Sequence, residues 1–166
     1  MGVGIHTVKL ARMMGMRVVA VSSSPGKAGR LRSAGAEEAL VPDRDGFHKQ
    51  VKSLTEGGAD AVIEIAGSVT FGSSLRCLKP GGRLVLVGNV EPGNVLLNPG
   101  LPILRELEII GSAHATVADL KQVVELVRRG EIGPEIGATV PVAQAAEAHR
   151  MMEGRQVTGR VVLTHL

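Results

Sequence analysis

The amino-acid sequence predicts an α/β fold, a doubly wound parallel sheet covered by helices on both faces. Three observations lead there. Short, nearly all-apolar runs rich in branched residues recur at 17–21, 61–66 and 83–87, as expected of strands buried on both faces. Between them lie segments whose apolar residues repeat at helical spacing. Glycine and proline separate the two kinds of segment, so strand and helix alternate along the chain.

Gly2-Val3-Gly4-Ile5-His6 opens the first helix, in which Ile5, Val8, Ala11 and Met14 recur on one side. Gly15 closes it, because glycine tolerates the left-handed conformation after a helix. The run 17–21 follows as a strand. A glycine-rich turn, a helix and a buried strand make up most of the first half of a dinucleotide-binding βαβ unit. Glycine matters in such a turn because a side chain would hold a pyrophosphate away from the N–H groups at the helix's positive end. The strand that should precede these glycines does not occur in the sequence. The expected architecture is therefore a Rossmann-type sheet lacking its first strand. In the order 3-2-1-4-5-6 the missing strand is central. Its neighbours, 17–21 and 61–66, are expected to face each other across about 9–10 Å, twice the usual interstrand spacing.

Further along, Ser24-Pro25 has the form of an N-cap followed by proline at the first helical position, with Ala28, Leu31 and Ala34 on the apolar face and Gly35 at the end. Residues 38–42 make a short strand stopped by Pro42. Asp45 is placed to cap a helix with Phe47, Val51 and Leu54 inward, ended by Gly57-Gly58. After the strand at 61–66 comes a helix with Phe71, Leu75 and Leu78 inward, a turn at Lys79-Pro80-Gly81-Gly82, and a strand at 83–88. Residues 91–100 read as a loop, followed by a short helix near 103–105 and a strand at 107–111. Thr116-Val117-Ala118-Asp119 has the form of a capping box for a helix with Leu120, Val123, Val124 and Val127 inward, closed by Gly130. The remainder predicts strand 136–140, helix 145–152 and strand 160–163.

Composition limits the function. At 166 residues and 44% hydrophobic content, the chain can fill a substantial core. With no Trp or Tyr and only Phe47 and Phe71, it lacks the rings of a single-stranded nucleic-acid platform. The net charge of +3 is spread along the chain, which argues for a solvated surface with one local phosphate site and against nucleic acid as a partner. Cys77 is the only cysteine, so a thiolate zinc cluster is not expected. No uncharged apolar run reaches about 18 residues, and the first residues lack signal-peptide anatomy. The expectation is a cytoplasmic protein with no membrane partner.

Four segments, in order, resemble the medium-chain dehydrogenase/reductase family, the zinc-type alcohol dehydrogenases and quinone reductases. They are Gly2-Val3-Gly4-Ile5-His6, Ser23-Ser24-Pro25-Gly26-Lys27-Ala28, Leu78-Lys79-Pro80-Gly81-Gly82-Arg83 and Gly159-Arg160-Val161-Val162-Leu163. The segments Val87-Gly88-Asn89-Val90 and Ile110-Gly111-Ser112-Ala113-His114-Ala115-Thr116 look most like its acryloyl-CoA reductase branch. The resemblance covers essentially the whole chain and implies a cofactor domain over 1–130 and, over 131–166, the C-terminal return of the family's catalytic domain. The rest of that domain, which holds zinc ligands in zinc-dependent members, lies outside the match. The second glycine of the family's fingerprint falls on Met1.

Gly2, Val3 and Gly4 are read as pyrophosphate contacts, against the plainer reading of a tight turn into a helix. At the end of the following strand, about 20 positions on, a residue reading the ribose 2′-OH should be acidic. Here it is Ser22, with Ser23, Ser24 and Lys27 after it. Hydroxyls and an ammonium accept a 2′-phosphate that a carboxylate repels, so NADP(H) is favoured over NAD(H). Helix capping by Ser24 and a solvated Lys27 is the alternative. Gly88, Asn89 and Val90 lie at the carboxyl end of a predicted strand, where α/β sheets bind ligands. The resemblance implies that they and Ser112 and Ala113 run along the nicotinamide, and that Arg160 is a pyrophosphate-binding basic residue. A turn asparagine and a surface arginine are the alternatives. His6 and His114 are read as a first-turn residue and a polar loop residue. Glu64, a carboxylate within a buried strand, requires hydrogen-bond partners, and Cys77 is read as inert core.

The function expected is the cofactor-binding portion of an NAD(P)H-dependent oxidoreductase, moving hydride to or from a carbonyl or an activated C=C. The small-molecule substrate would engage only with the missing domain, and the resemblance implies a homodimer. The other reading is a non-catalytic nucleotide-binding or dimerisation fragment. The sequence assigns no catalytic residue and no metal ligand.

Overall fold

The computed structural model describes residues 2–43, 46–154 and 156–165. It forms two compact units. One comprises 1–18, 29–36 and 116–166, the other 19–28 and 37–115.

The second unit holds strands β1 (Val19–Val21), β2 (Glu38–Leu40), β3 (Ala59–Glu64), β4 (Leu78–Leu86) and β5 (Glu108–Gly111), with helices α3 (His48–Leu54), α4 (Ser68–Cys77) and α5 (Gly100–Arg105). All its strand pairs are parallel: β1 with β2, β3 with β4, and β4 with β5. The predicted doubly wound order is visible in these pairings, divided into a two-stranded and a three-stranded sheet. Among the described residues, β1 and β3 each have a hydrogen-bonded neighbour on one side only. Both sheets nevertheless share a core. Val19 and Leu40 from one, and Ala59 and Val62 from the other, pack against buried Phe47, Val51 and Cys77. A second cluster joins Phe71 and Leu75 of α4 to Leu78 and Leu84 of β4.

The first unit holds α1 (Gly2–Met13), most of α2 (Ala28–Ser33), α6 (Val117–Arg128), α7 (Ala145–Glu153) and the parallel pair β6 (Ile136–Pro141) and β7 (Arg160–Thr164). Ile5 and Val8 of α1 and Leu31 of α2 are buried, as their spacing predicts. Gly15 takes a positive φ of 79° and its N–H returns to Arg12 O, closing α1. The Glu135 carboxylate pairs with Lys9 of α1 and with Arg30 of α2, and these cations hold its carboxyl below the usual range.

Several expectations are corrected. Met14 is exposed rather than on the buried side of α1. The strands thought to be buried on both faces are only half covered: Val21 and Ile63 are exposed, as their one-sided pairing permits. Ser24 precedes a 3₁₀ turn (Pro25–Lys27) and makes no side-chain cap bond, and α2 starts at Ala28. Asp45 lies outside the described residues. The expected turn 79–82 falls within β4, whose register to β3 shifts between Ala59 and Ala61, with Gly81 at φ 73°.

The capping box at Thr116 is present, with Thr116 N donating to Asp119 Oδ2 (2.8 Å) and Asp119 N to Thr116 Oγ1 (3.2 Å). The helix it opens, however, leaves Leu120, Val123, Val124 and Val127 exposed. No element of the unit covers that stripe, so amphipathic spacing here marks a face without a partner among the described residues. No helix of the described residues is long and apolar enough to cross a membrane.

Candidate functional site

The site residues fall into one group in the first unit and two in the second. In the first unit, Gly2 begins α1, and the first turn of that helix carries no acidic residue. A Cβ added to Gly2 would lie 3.5 Å from Cζ and Nε of Arg160. The guanidinium thus stands at the positive end of the helix, where the unpaired amides and the macrodipole already favour an anion. Among the described residues Arg160 has no ion-pair partner. Its strand is fixed in place, because Arg160 N donates to Glu135 O at 2.6 Å. Val3 is exposed in the same turn, and His6 Nδ1 lies 2.8 Å from Gly2 O, which occupies the ring within the helix. The structure therefore brings Gly2 and Arg160 together. An open cleft in the same unit, lined by Lys9, Arg12, Ser33 and Glu131, includes neither of them.

The second group is the loop after β1. Ser22 N donates to Leu40 O (2.9 Å), extending the β1–β2 ladder by one residue. Ser24 N then donates to Ser22 Oγ (3.3 Å), so the hydroxyl of Ser22 organises the turn. Ser23 is exposed, and Lys27 N donates to Ser24 O (3.1 Å). The strand ends on hydroxyls with a lysine one turn later and no carboxylate at 22–27.

The third group gathers at the carboxyl ends of β3, β4 and β5. Gly88, Asn89 and Val90 follow β4 directly, and Ser112 N donates to Leu86 O (2.9 Å), setting Ser112 and Ala113 beside them. A Cβ on Gly88 would meet Ile65 O at 2.6 Å, so only glycine allows this approach. His114, next in line, is exposed with φ 63°.

Glu64 closes β3 and is 3% exposed. Its Oε1 accepts from Ala66 N (2.8 Å), Gly67 N (3.1 Å) and Thr70 Oγ1 (2.7 Å), and its Oε2 from Ser74 Oγ. The amide bonds are partners that the sequence reading required of a buried carboxylate without naming them. The two hydroxyls escaped it, although Thr70 and Ser74 are spaced by one helical turn and so share a face of α4.

Zinc finds no seat. No three His, Cys, Asp or Glu side chains among the described residues converge on a metal-sized position. Burial pushes the Cys77 thiol up to about 12, so the thiolate a metal needs is disfavoured.

A parallel α/β unit with glycines at its strand ends has the form of a Rossmann-type fold. Residues 2–129 match the family model described as zinc-binding dehydrogenase. An acryloyl-coenzyme A reductase of Sulfurisphaera tokodaii is 34% identical over 98% of this chain and 47% of its own length. The crystal structure of AibC superposes with a TM-score of 0.92 at 45% identity, covering 98% of this chain and 46% of that one. A mycobacterial protein solved in complex with NADPH gives 0.84 at 25% identity, over 99% of this chain and 53% of its own. The chain belongs to the zinc-binding dehydrogenase family, within the medium-chain dehydrogenases/reductases. It spans about half the length of the curated relatives it matches.

Proposed function

We propose that this chain is the cofactor-binding portion of a longer cytoplasmic oxidoreductase that uses NADP(H) in preference to NAD(H). The observation that carries the reading is the Arg160 guanidinium beside the carboxylate-free start of α1, with Gly2 leaving the space between them open. A pyrophosphate held there by Gly2, Val3, Gly4 and Arg160 would neutralise the guanidinium and satisfy helix amides. Ser22, Ser23 and Lys27 would receive the 2′-phosphate. Gly88, Asn89, Val90, Ser112 and Ala113 would line the nicotinamide. The cofactor supplies hydride chemistry, and these residues supply binding and orientation. The division at 1–130 and 131–166, with the second part returning to a catalytic domain, belongs to the same reading.

The acceptor class is a carbonyl or an activated C=C, supported by the acryloyl-CoA reductase relatives. Substrate contacts would come from the rest of the longer protein. A homodimer is supported by β5, whose Ile109 and Ile110 are exposed at the end of the sheet order. The exposed Ile109 and Ile110 also suit a second reading, a nucleotide-binding or dimerisation fragment without catalysis. Hydride transfer to any acceptor distinguishes the two.

Titration of NADPH into the full-length protein tests the site. Arg160→Ala should weaken NADPH by about one to two decades, the effect of losing one charge-assisted contact of roughly 1.5–3 kcal/mol. Equal affinities for wild type and variant would remove Arg160 from the site. Elemental analysis of the purified chain should find no stoichiometric zinc, since one buried thiol and scattered histidines cannot supply three or four ligands. One tight zinc per chain would overturn that expectation.

A further inference from the structure

We infer that Glu64 is a positioning residue for the nicotinamide end of the cofactor, acting through the loop 65–68 on Gly88, Asn89 and Val90. The inference rests on the assignment of 88–90 to the nicotinamide, and adds to it a residue that touches no ligand itself.

Two strand-end loops are stitched together at this point. Val87 N and Gly88 N both donate to Glu64 O (2.9 and 3.2 Å), and Glu91 N donates to Ala66 O (2.9 Å). Ser68 returns two bonds to Glu91 O, from N (3.3 Å) and from Oγ (2.9 Å). Gly67 forms a parallel bridge to Glu91, with φ 102° and ψ −133°, a conformation essentially closed to residues with a side chain. Asn89 Oδ1 occupies the space that a Cβ on Gly67 would need. The path of 88–90 is therefore set by where Ala66 and Gly67 lie.

The Glu64 carboxylate holds those two residues. It takes both their amides on one oxygen, together with the Thr70 hydroxyl, while Ser74 anchors the other oxygen to α4. A carboxylate only accepts, and all four partners are able to donate, so the charge is satisfied without a cation. One side chain thereby ties the loop 65–67 at the end of β3 to α4, and that loop is in turn bonded to the loop after β4. Its buried location excludes water, which would otherwise take over the amides.

The chemistry of the four donors separates the variants. In Glu64→Gln the amide oxygen keeps Ala66 N, Gly67 N and Thr70, and the new NH₂ faces Ser74, whose hydroxyl turns to accept. Glu64→Met keeps the length but leaves two amides and the Ser74 hydroxyl without their acceptor, and leaves Thr70 Oγ1 only its long bond to Gly67 O (3.5 Å). Each is titrated in the full-length protein with NADPH and with 2′-phospho-ADP-ribose, which lacks the nicotinamide. Glu64→Met should weaken NADPH about tenfold and leave 2′-phospho-ADP-ribose within about twofold, and Glu64→Gln should restore NADPH to within about threefold of wild type. Parallel loss of both ligands in Glu64→Met would make Glu64 merely structural and overturn the inference, as would unchanged binding of both. If Glu64→Met does not fold, Thr70→Val, which removes one donor from Oε1, should give the same selective loss in smaller measure. Its absence would count against the inference. Failure of the wild type to bind either ligand would instead overturn the cofactor assignment.

Discussion

Expressed by itself, the 166-residue chain is expected to melt without a sharp cooperative transition, to bind a hydrophobic dye, and to show no micromolar affinity for NADPH. The two sheets of the second unit share one core, yet among the described residues β1 and β3 each end on an edge without a hydrogen-bonded neighbour. β1 is apolar along its length and β3 at Ala61, Val62 and Ile63, as in strands normally found inside a parallel sheet. The N–H and C=O groups on such an edge are left to water and template association with other strands. A domain has only about 5–15 kcal/mol in total, so lacking the burial and pairing of one strand is enough to abolish cooperative folding. The exposed apolar stripe of α6, from Val117 to Val127, adds surface that favours association over a unique monomer. Co-expression with a segment that supplies one apolar parallel strand should restore both the transition and cofactor binding. A sharp melt with micromolar NADPH binding by the chain alone would show that the sheets are complete without another strand.

The residues that failed to match their sequence reading share a cause with that prediction. Local rules were sufficient for several residues whose role depends on their own neighbours in the chain, though not for Ser24, which makes no cap bond. Gly15 at the end of α1, the Thr116–Asp119 box and the Phe71 and Leu75 face of α4 appear where spacing and capping chemistry put them, whereas Leu78, expected on that helix, is buried as the first residue of β4. Periodicity reports which face of a helix is apolar, but not whether anything covers it. Leu120, Val123, Val124 and Val127 have the spacing of a core face and are exposed. The same holds for Val21 and Ile63, because a strand's second neighbour is a long-range property. At the site, Gly88 was legible as a strand-end residue, and the structure adds that the close approach of Ile65 O demands glycine there. The proximity of Arg160 to Gly2 was not, since it joins opposite ends of the chain and was expected only through family resemblance. The bonds of Glu64 to Thr70 and Ser74 required knowing that α4 turns its hydroxyl face back onto β3.

Ser22→Asp should move cofactor preference from NADPH toward NADH, lowering the ratio of their association constants by about one to two decades. The loop after β1 accommodates the change. Ser22 Oγ already accepts from Ser24 N, and an aspartate there makes the same turn with its carboxylate, so the fold has no reason to respond. The charge is what changes. With Ser22, Ser23 and Lys27 the strand end offers hydroxyls and an ammonium that has no ion-pair partner among the described residues. A carboxylate at 22 repels a 2′-phosphate and draws on the same Lys27, while it gains a hydrogen bond from the free 2′-OH of NADH. One charge-assisted contact is worth roughly 1.5–3 kcal/mol, which sets the size of the shift. Ser22→Asn separates charge from shape: it keeps the turn and adds no charge, so it should leave the NADPH to NADH ratio within a few-fold of wild type. Raising the salt concentration should shrink the aspartate effect, because the loop is solvent-exposed and screened over about 10 Å at 0.1 M. Titrating both cofactors into wild type and both variants of the full-length protein decides the matter. An NADPH to NADH ratio that Ser22→Asp leaves unchanged would place the 2′-phosphate elsewhere and withdraw Ser22, Ser23 and Lys27 from the site.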